Sequence, residues 1–122
     1  MKAPCQVVVW YLLPAVGAEL ARELGGRGMP QKEIAKRLGV TPAAVSHYLK
    51  GSRGSEVKLG KKSLAEVRRL AGEVREGKAD DAKMLLAVCG ICRIAWGERV
   101  LCAHHARAGS CAACADGKMR CR

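Results

Sequence analysis

The sequence predicts an all-α protein with four or five helices and a small cysteine-rich segment at its C-terminal end. Aliphatic side chains recur at three- and four-residue intervals, and glycine or proline separates these runs. Aromatic residues make up only 3% of the 122 residues and phenylalanine is absent, so the core must be aliphatic, which suits packed helices. The length allows one core of modest size.

The first helical pattern covers residues 5–24. Pro14 interrupts it, so the helix either kinks there or restarts with Pro14 in its first turn. The apolar run at 7–13 is too short to span a bilayer, which needs roughly 20 residues, and no typical signal-peptide cleavage site follows it. We therefore expect a buried helix, no membrane association and a cytoplasmic location.

Two short helices are predicted next. One runs from Gln31 to Gly39, where glycine suits a left-handed end. The other runs from Thr41 to Gly51, with Thr41 as the N-cap and Pro42 at the first helical position.

Two further helices complete the predicted fold. The fourth covers about 63–77, because Ser63 and Glu66 have the spacing of a capping box. The lysine-rich stretch before it, around Lys58, Lys61 and Lys62, is interpreted as a solvated linker. The fifth covers about 80–88 and leads into the first cysteine of the cluster.

The second and third helices, joined by a glycine turn behind a longer first helix, have the pattern of a helix-turn-helix over residues 30–54. Ile34 and Val45 are expected to hold the two helices together. The polar or small residues left facing outward are Thr41, Pro42, Ala43, Ser46, His47 and Lys50. Such a face can enter the major groove of double-stranded DNA.

The charge favours the same class of partner. The net charge is +11, from 22 basic and 11 acidic residues. Residues 1–54 contribute +5 (8 − 3), residues 55–84 contribute +2 (8 − 6) and residues 85–122 contribute +4 (6 − 2). A polyanion is the natural partner of such a chain, and nucleic acid is the commonest polyanion.

The stretch GMPQKEIAKRLGVTPAAVSHYLKGSRG resembles the helix-turn-helix of the lambda-repressor-like (Cro/C1, XRE) regulators. It is more similar still to a group of archaeal predicted transcriptional regulators that end in a cysteine cluster. The elements that carry this resemblance are Pro4-Cys5, Leu13-Pro14, the core at 31–54 and the cysteines from Cys89 onward. The resemblance implies a lambda-repressor-like DNA-binding domain over residues 1–84 and a cysteine-rich module over residues 85–122.

The resemblance also implies roles for single residues. Gln31 would contact a phosphate. Base edges would face Thr41, Pro42, Ala43, Ser46 and His47, and the DNA backbone would face Lys50, Ser52 and Arg53. Pro42 and Ala43 stand where such repressors carry glutamines, so base readout would depend on Ser46, His47, methyl contacts and DNA shape. A homodimer is expected because one reading helix covers only a half-site, and either the fourth helix or the apolar N-terminal run could form its interface.

The cysteines have the spacing of a metal site. Two C-x2-C pairs, Cys89/Cys92 and Cys111/Cys114, flank Cys102, and thiolates at this spacing suit zinc or an iron–sulfur cluster. Disulfides and free thiols remain alternatives. So does a zinc site that uses His104 or His105, and the roles of Cys5 and Cys121 stay open. The module could be a static brace, or it could sense metal loss or oxidation.

Two other functional classes use similar sequence features. A bridging or basal-transcription cofactor is the alternative, since archaeal multiprotein-bridging-factor-like proteins also combine a zinc ribbon with this helix-turn-helix. They carry the ribbon first, whereas here the cysteines come last. We expect no enzymatic activity and no small-molecule substrate, because the cysteine pairs lie outside any βαβ pattern and no nucleophile has a recognisable partner base.

Overall fold

The structure is a computed structural model that describes residues 11–55 and 57–98. These residues contain five helices: α1 (Leu13–Gly26), α2 (Gln31–Leu38), α3 (Pro42–Lys50), α4 (Lys61–Arg75) and α5 (Asp81–Gly97). Within the two ranges there is no β-strand, so the all-α prediction is confirmed for this part of the chain. None of the helices described is both long and apolar enough to cross a membrane.

Helix α1 lies at the centre of the fold and contacts all four other helices. The apolar side of α1 is buried: the side chains of Val16, Leu20 and Leu24 are each at most 2% exposed. Aliphatic residues from α2 to α5 complete one core; they include Ile34, Val45, Val67, Leu70, Val74, Ile91 and Ala95. The expected aliphatic core is confirmed for the described residues, in which Tyr48 is the one aromatic side chain among the buried residues.

The start of α1 accommodates a proline. Pro14 lies in the first turn of α1, the part of a helix where proline is tolerated best. Leu12, just before the helix, already has right-handed helical angles (φ −76°, ψ −49°). The part of the predicted first helix before residue 11 lies outside the described residues.

The connection between α3 and α4 packs into the core instead of forming a solvated linker. Val57 is 5% exposed and Leu59 is 8% exposed, while Lys58 between them faces solvent. Gly54 has a positive φ of 79°, and a Cβ atom there would overlap the carbonyl oxygen of Pro14 on α1. The prediction of a solvated linker was wrong because two alternating aliphatic side chains anchor this segment.

Helix α4 begins differently from the prediction. It starts at Lys61, so Ser63 is its third residue and is fully buried. The Glu98 carboxylate, from the residue after α5, accepts hydrogen bonds from the backbone N–H groups of Lys62 (3.3 Å) and Ser63 (3.3 Å) and from the Ser63 hydroxyl. The predicted capping box is absent: Glu66 instead pairs with Arg69 on the helix surface (2.7 Å).

Helix α5 begins as predicted but continues further. Asp80 is its N-cap, and its carboxylate accepts a hydrogen bond from the Lys83 N–H at 2.7 Å. The helix does not end near Val88 but runs to Gly97, because Ile91 and Ala95 bury against the core one and two turns later. The boundary expected between residues 84 and 85 therefore falls inside this helix.

Candidate nucleic-acid interface

Helices α2 and α3 form a helix-turn-helix whose turn is closed by its own residues. Gly39 takes a left-handed conformation (φ 68°), which lets the Val40 N–H donate back to the Ala35 carbonyl at 3.0 Å. The Thr41 hydroxyl then accepts a hydrogen bond from the Ala44 N–H at 3.1 Å and caps α3. The predicted bounds and cap of both helices are confirmed.

The inner side of this motif is buried as expected. Ile34 and Val45 are both 0% exposed and Ala35 is 3% exposed. Tyr48, which the sequence reasoning passed over, is also buried, and its ring packs against Gly17 of α1. These contacts fix the rotation of α3 about its axis and so decide which side chains it presents to solvent.

The outer side carries the residues singled out from the sequence. Ser46 is half-buried and the other eight are exposed: Gln31, Thr41, Pro42, Ala43, His47, Lys50, Ser52 and Arg53. Gln31 is the first residue of α2, at the helix end where backbone N–H groups are free to meet an anion. The structure thus brings the predicted residues to the exposed parts of one motif.

Positive charge on this motif is largely uncompensated. Residues 30–54 hold five basic residues and one acidic residue, a net charge of +4 (5 − 1). The single acid, Glu33, is paired with Arg37 at 3.0 Å. No salt bridge within the described residues involves the remaining four cations, which are Lys32, Lys36, Lys50 and Arg53.

Two of those cations were missed by sequence reasoning. Lys32 and Lys36 are exposed and lie four residues apart on α2, on the side away from buried Ile34 and Ala35. Their spacing in the segment QKEIAKRL could have marked them, since apolar residues at 34, 35 and 38 define the opposite face. They add to the positive potential around the start of α2.

The His47 side chain is held by a contact that the sequence did not predict. Its Nδ1 lies 2.9 Å from the Ser52 hydroxyl. That hydroxyl is also 3.3 Å from the His47 carbonyl oxygen, which accepts a hydrogen bond from the Ser52 N–H at 3.1 Å. Gly51 between α3 and Ser52 has a positive φ of 78°, and this turn brings the serine back over the last turn of α3.

Cys89 and Cys92, the first predicted metal pair, lie three residues apart on α5 and therefore on one side of the helix. Cys89 is exposed, whereas Cys92 is half-buried. Burial, followed by the charge of Cys89, raises the pKa of Cys92 to about 11, so its thiol holds its proton at neutral pH.

Within residues 11–55 and 57–98 there is no group of three or more metal-ligating side chains. Cys102, Cys111 and Cys114 lie outside the described residues.

Comparison with known proteins identifies the same motif. Residues 19–62 match the family model described as helix-turn-helix, which spans the second half of α1, the whole of α2 and α3, and the first two residues of α4. No curated protein and no solved structure matches the chain. The matched segment is similar to a helix-turn-helix of the Cro/C1 (XRE) type, a motif that binds DNA.

Proposed function

We propose that this chain is a sequence-specific transcriptional regulator that binds double-stranded DNA through the helix-turn-helix of residues 30–54. One observation carries the proposal. Within the matched segment, α3 buries Ala44, Val45 and Tyr48 while its opposite side is exposed, polar and bordered by unpaired cations. A rigid helix with such a face fits the width of the major groove.

The exposed side chains divide by chemistry into two groups. Ser46 and His47 can hydrogen-bond base edges, and the methyl or ring carbons of Thr41, Pro42 and Ala43 can contact thymine methyl groups. The cations Lys50 and Arg53 at the end of α3 are suited to phosphates, as is Gln31 at the start of α2. Affinity would then fall steeply with salt, because each neutralised phosphate releases counterions.

A homodimer would place two such helices on paired half-sites about one DNA turn apart. The fourth helix, one of the two interfaces considered from the sequence, uses its apolar stripe inside the monomer: Val67, Leu70 and Val74 are all buried. The most exposed large apolar side chains among the described residues are Leu85 (65%) and Leu86 (73%) on α5. We propose that a second copy of this chain covers these two leucines.

We further propose that the cysteine-rich segment binds zinc or an iron–sulfur cluster through ligands drawn from Cys89, Cys92, Cys102, Cys111 and Cys114. The shared helix side of the first pair supports this, since two thiolates one helical turn apart can bind one ion. Cys92 would have to lose its proton to become a ligand. Metal and sulfide analysis of protein purified without oxygen tests this assignment and distinguishes zinc, cluster and disulfide.

The DNA proposal is tested by selecting duplexes from a random library and measuring affinity against salt. We expect Lys50→Ala and Arg53→Ala each to weaken binding to all duplexes about equally and to reduce the salt slope by roughly one. Arg75→Ala is the matched control, because it removes an exposed cation at the far end of α4.

Failure to bind any duplex in dilute salt would refute the proposed function. Binding to a transcription protein without a selected DNA sequence would favour the bridging cofactor instead. If the affinity for the selected duplex is the same with and without chelator or oxidant, the cysteine segment has a structural role and does not act as a sensor.

A further inference from the structure

We propose that Ser52 fixes the hydrogen-bonding character of His47, so that His47 offers DNA an acceptor and selects a base carrying a major-groove amino group. This inference rests on the proposed function, since it specifies what one residue of that interface reads. The residues concerned are five apart and meet across the turn that ends α3.

The hydroxyl group of Ser52 has two neighbours but only one hydrogen. One neighbour, the His47 carbonyl oxygen at 3.3 Å, can only accept a hydrogen bond. The other, Nδ1 of the imidazole at 2.9 Å, can donate or accept according to the tautomer. Both contacts are hydrogen bonds only when the hydroxyl donates to the carbonyl and accepts from an Nδ1–H. The geometry therefore favours the tautomer with its hydrogen on Nδ1.

That tautomer determines whether the second ring nitrogen, Nε2, offers DNA a hydrogen-bond donor or an acceptor. With Nδ1 engaged by Ser52, Nε2 is the ring nitrogen free to meet a base, and it carries a lone pair without a hydrogen. A major-groove acceptor pairs with the N6 amino group of adenine or the N4 amino group of cytosine. It does not pair with O6 or N7 of guanine or with O4 of thymine, which are acceptors themselves.

The same contact limits the motion of an exposed side chain. His47 lies on the solvent side of α3, and apart from Ser52 no described residue hydrogen-bonds its ring. Holding the ring before DNA arrives reduces the rotamer entropy lost on binding. Ser52 is therefore a positioning residue for His47, whether or not it also touches a phosphate.

The experiment uses the full chain and duplexes selected from a random library, in one buffer throughout. Comparing the preferences of the parent and His47→Ala locates the base pair that His47 reads. The amino group at that pair is then removed with a purine base that lacks N6 or a pyrimidine base that lacks N4. For the parent we expect the loss of that amino group to weaken binding roughly fivefold, the size of one hydrogen bond.

The ratio of affinities for the two duplexes is the diagnostic quantity. Ser52→Ala should lower the ratio, because the ring loses both its fixed orientation and its tautomer preference, and Ser52→Thr, which keeps a hydroxyl, should restore it. Ser55→Ala is the control, because Ser55 is exposed in the same connection and forms no hydrogen bond with His47. A phosphate contact alone would weaken both duplexes equally and leave the ratio unchanged.

The outcomes separate the two proposals. No enriched sequence with the parent chain defeats the proposed function. Two other results leave DNA binding intact but overturn the role assigned to Ser52. In one, sequences are enriched but the parent binds the two duplexes with an affinity ratio near one. In the other, Ser52→Ala leaves the affinity ratio at its parent value.

Discussion

The region of α1 to α3 and the region of α4 and α5 each contain a helix start capped by a side chain, but the cap of α3 is local and the cap of α4 is remote. In the first, Thr41 caps α3 with a hydrogen bond to a residue three positions later. In the second, the N-terminus of α4 is capped by Glu98, which lies more than 30 positions further along the chain. A cap inside one turn follows from local sequence, whereas a remote cap exists only once the tertiary fold has formed. The start of α4 should therefore depend on α5, and the start of α3 should not.

The largest expected effect concerns the core that both regions share. Ile34 is fully buried where α2 meets α1 and α3. Ile34→Ala should lower the free energy of unfolding by about 3 kcal/mol through lost burial and the cavity left behind. Urea denaturation measures this change. Lys36→Ala on the exposed side of the same helix is the control and should change stability by no more than about 0.5 kcal/mol.

A double-mutant cycle tests the remote cap directly. Glu98→Ala should cost about 2 kcal/mol, because it uncaps α4 and leaves the buried Ser63 hydroxyl without its partner. Gly60→Ala should cost a similar amount, since its Cβ atom would overlap the Glu98 carboxylate.

The cycle isolates one interaction, because both substitutions remove the Glu98 carboxylate from the start of α4. In the Glu98→Ala background we expect Gly60→Ala to cost less than about 0.5 kcal/mol, so that the two effects are far from additive. Additive costs would show that the carboxylate does not occupy this position in solution.

The local cap of α5 gives a smaller, matched effect. Asp80→Ala removes a hydrogen bond to the Lys83 N–H and should cost about 1 kcal/mol. The loss should add to that of Glu98→Ala, because the two residues cap different helices. Thermal or urea unfolding of the two single variants and the double variant provides the test, and strong coupling between them would contradict the assigned caps.

The effect that is smallest near neutral pH is the pH dependence contributed by Cys92. Its pKa is raised from 9.0 to about 11 by burial and then by Cys89, so the folded chain keeps a proton that the unfolded chain releases. This contribution to stability is full below about pH 9 and is lost as the pH rises through about 11. In reduced, metal-free protein, the unfolding free energy of the parent should fall more steeply over that interval than that of Cys92→Ala. Parallel curves for the two proteins would contradict the burial of this thiol.

Local signals explain why the helix-turn-helix could be read from the sequence. Gly39, Thr41 and Gly51 each act within their own turn, and the period of the apolar residues gave the buried faces of α2 and α3. The family match over residues 19–62 covers the same part of the chain. The contact between Ser52 and His47 was missed because it needs the left-handed turn at Gly51 to bring them together.

The second region could be predicted only in outline. The spacing of Ser63 and Glu66 matched a capping box, but Ser63 is buried at the third position of α4 and bonds to Glu98. The aliphatic pair Val57 and Leu59 was hidden among lysines. In both places the partner is distant in sequence, and neither helical period nor capping pattern identifies distant partners.

The way α3 is anchored has a consequence for protein engineering. Residues 41–54 start with their own cap, turn at Gly51 and end at Gly54, which fits closely against Pro14. New outward residues could therefore be transplanted into this stretch without redesigning the neighbouring helices, provided that the inward Ala44, Val45 and Tyr48 are retained. Such chimaeras would show which outward residues set the DNA preference of the proposed regulator.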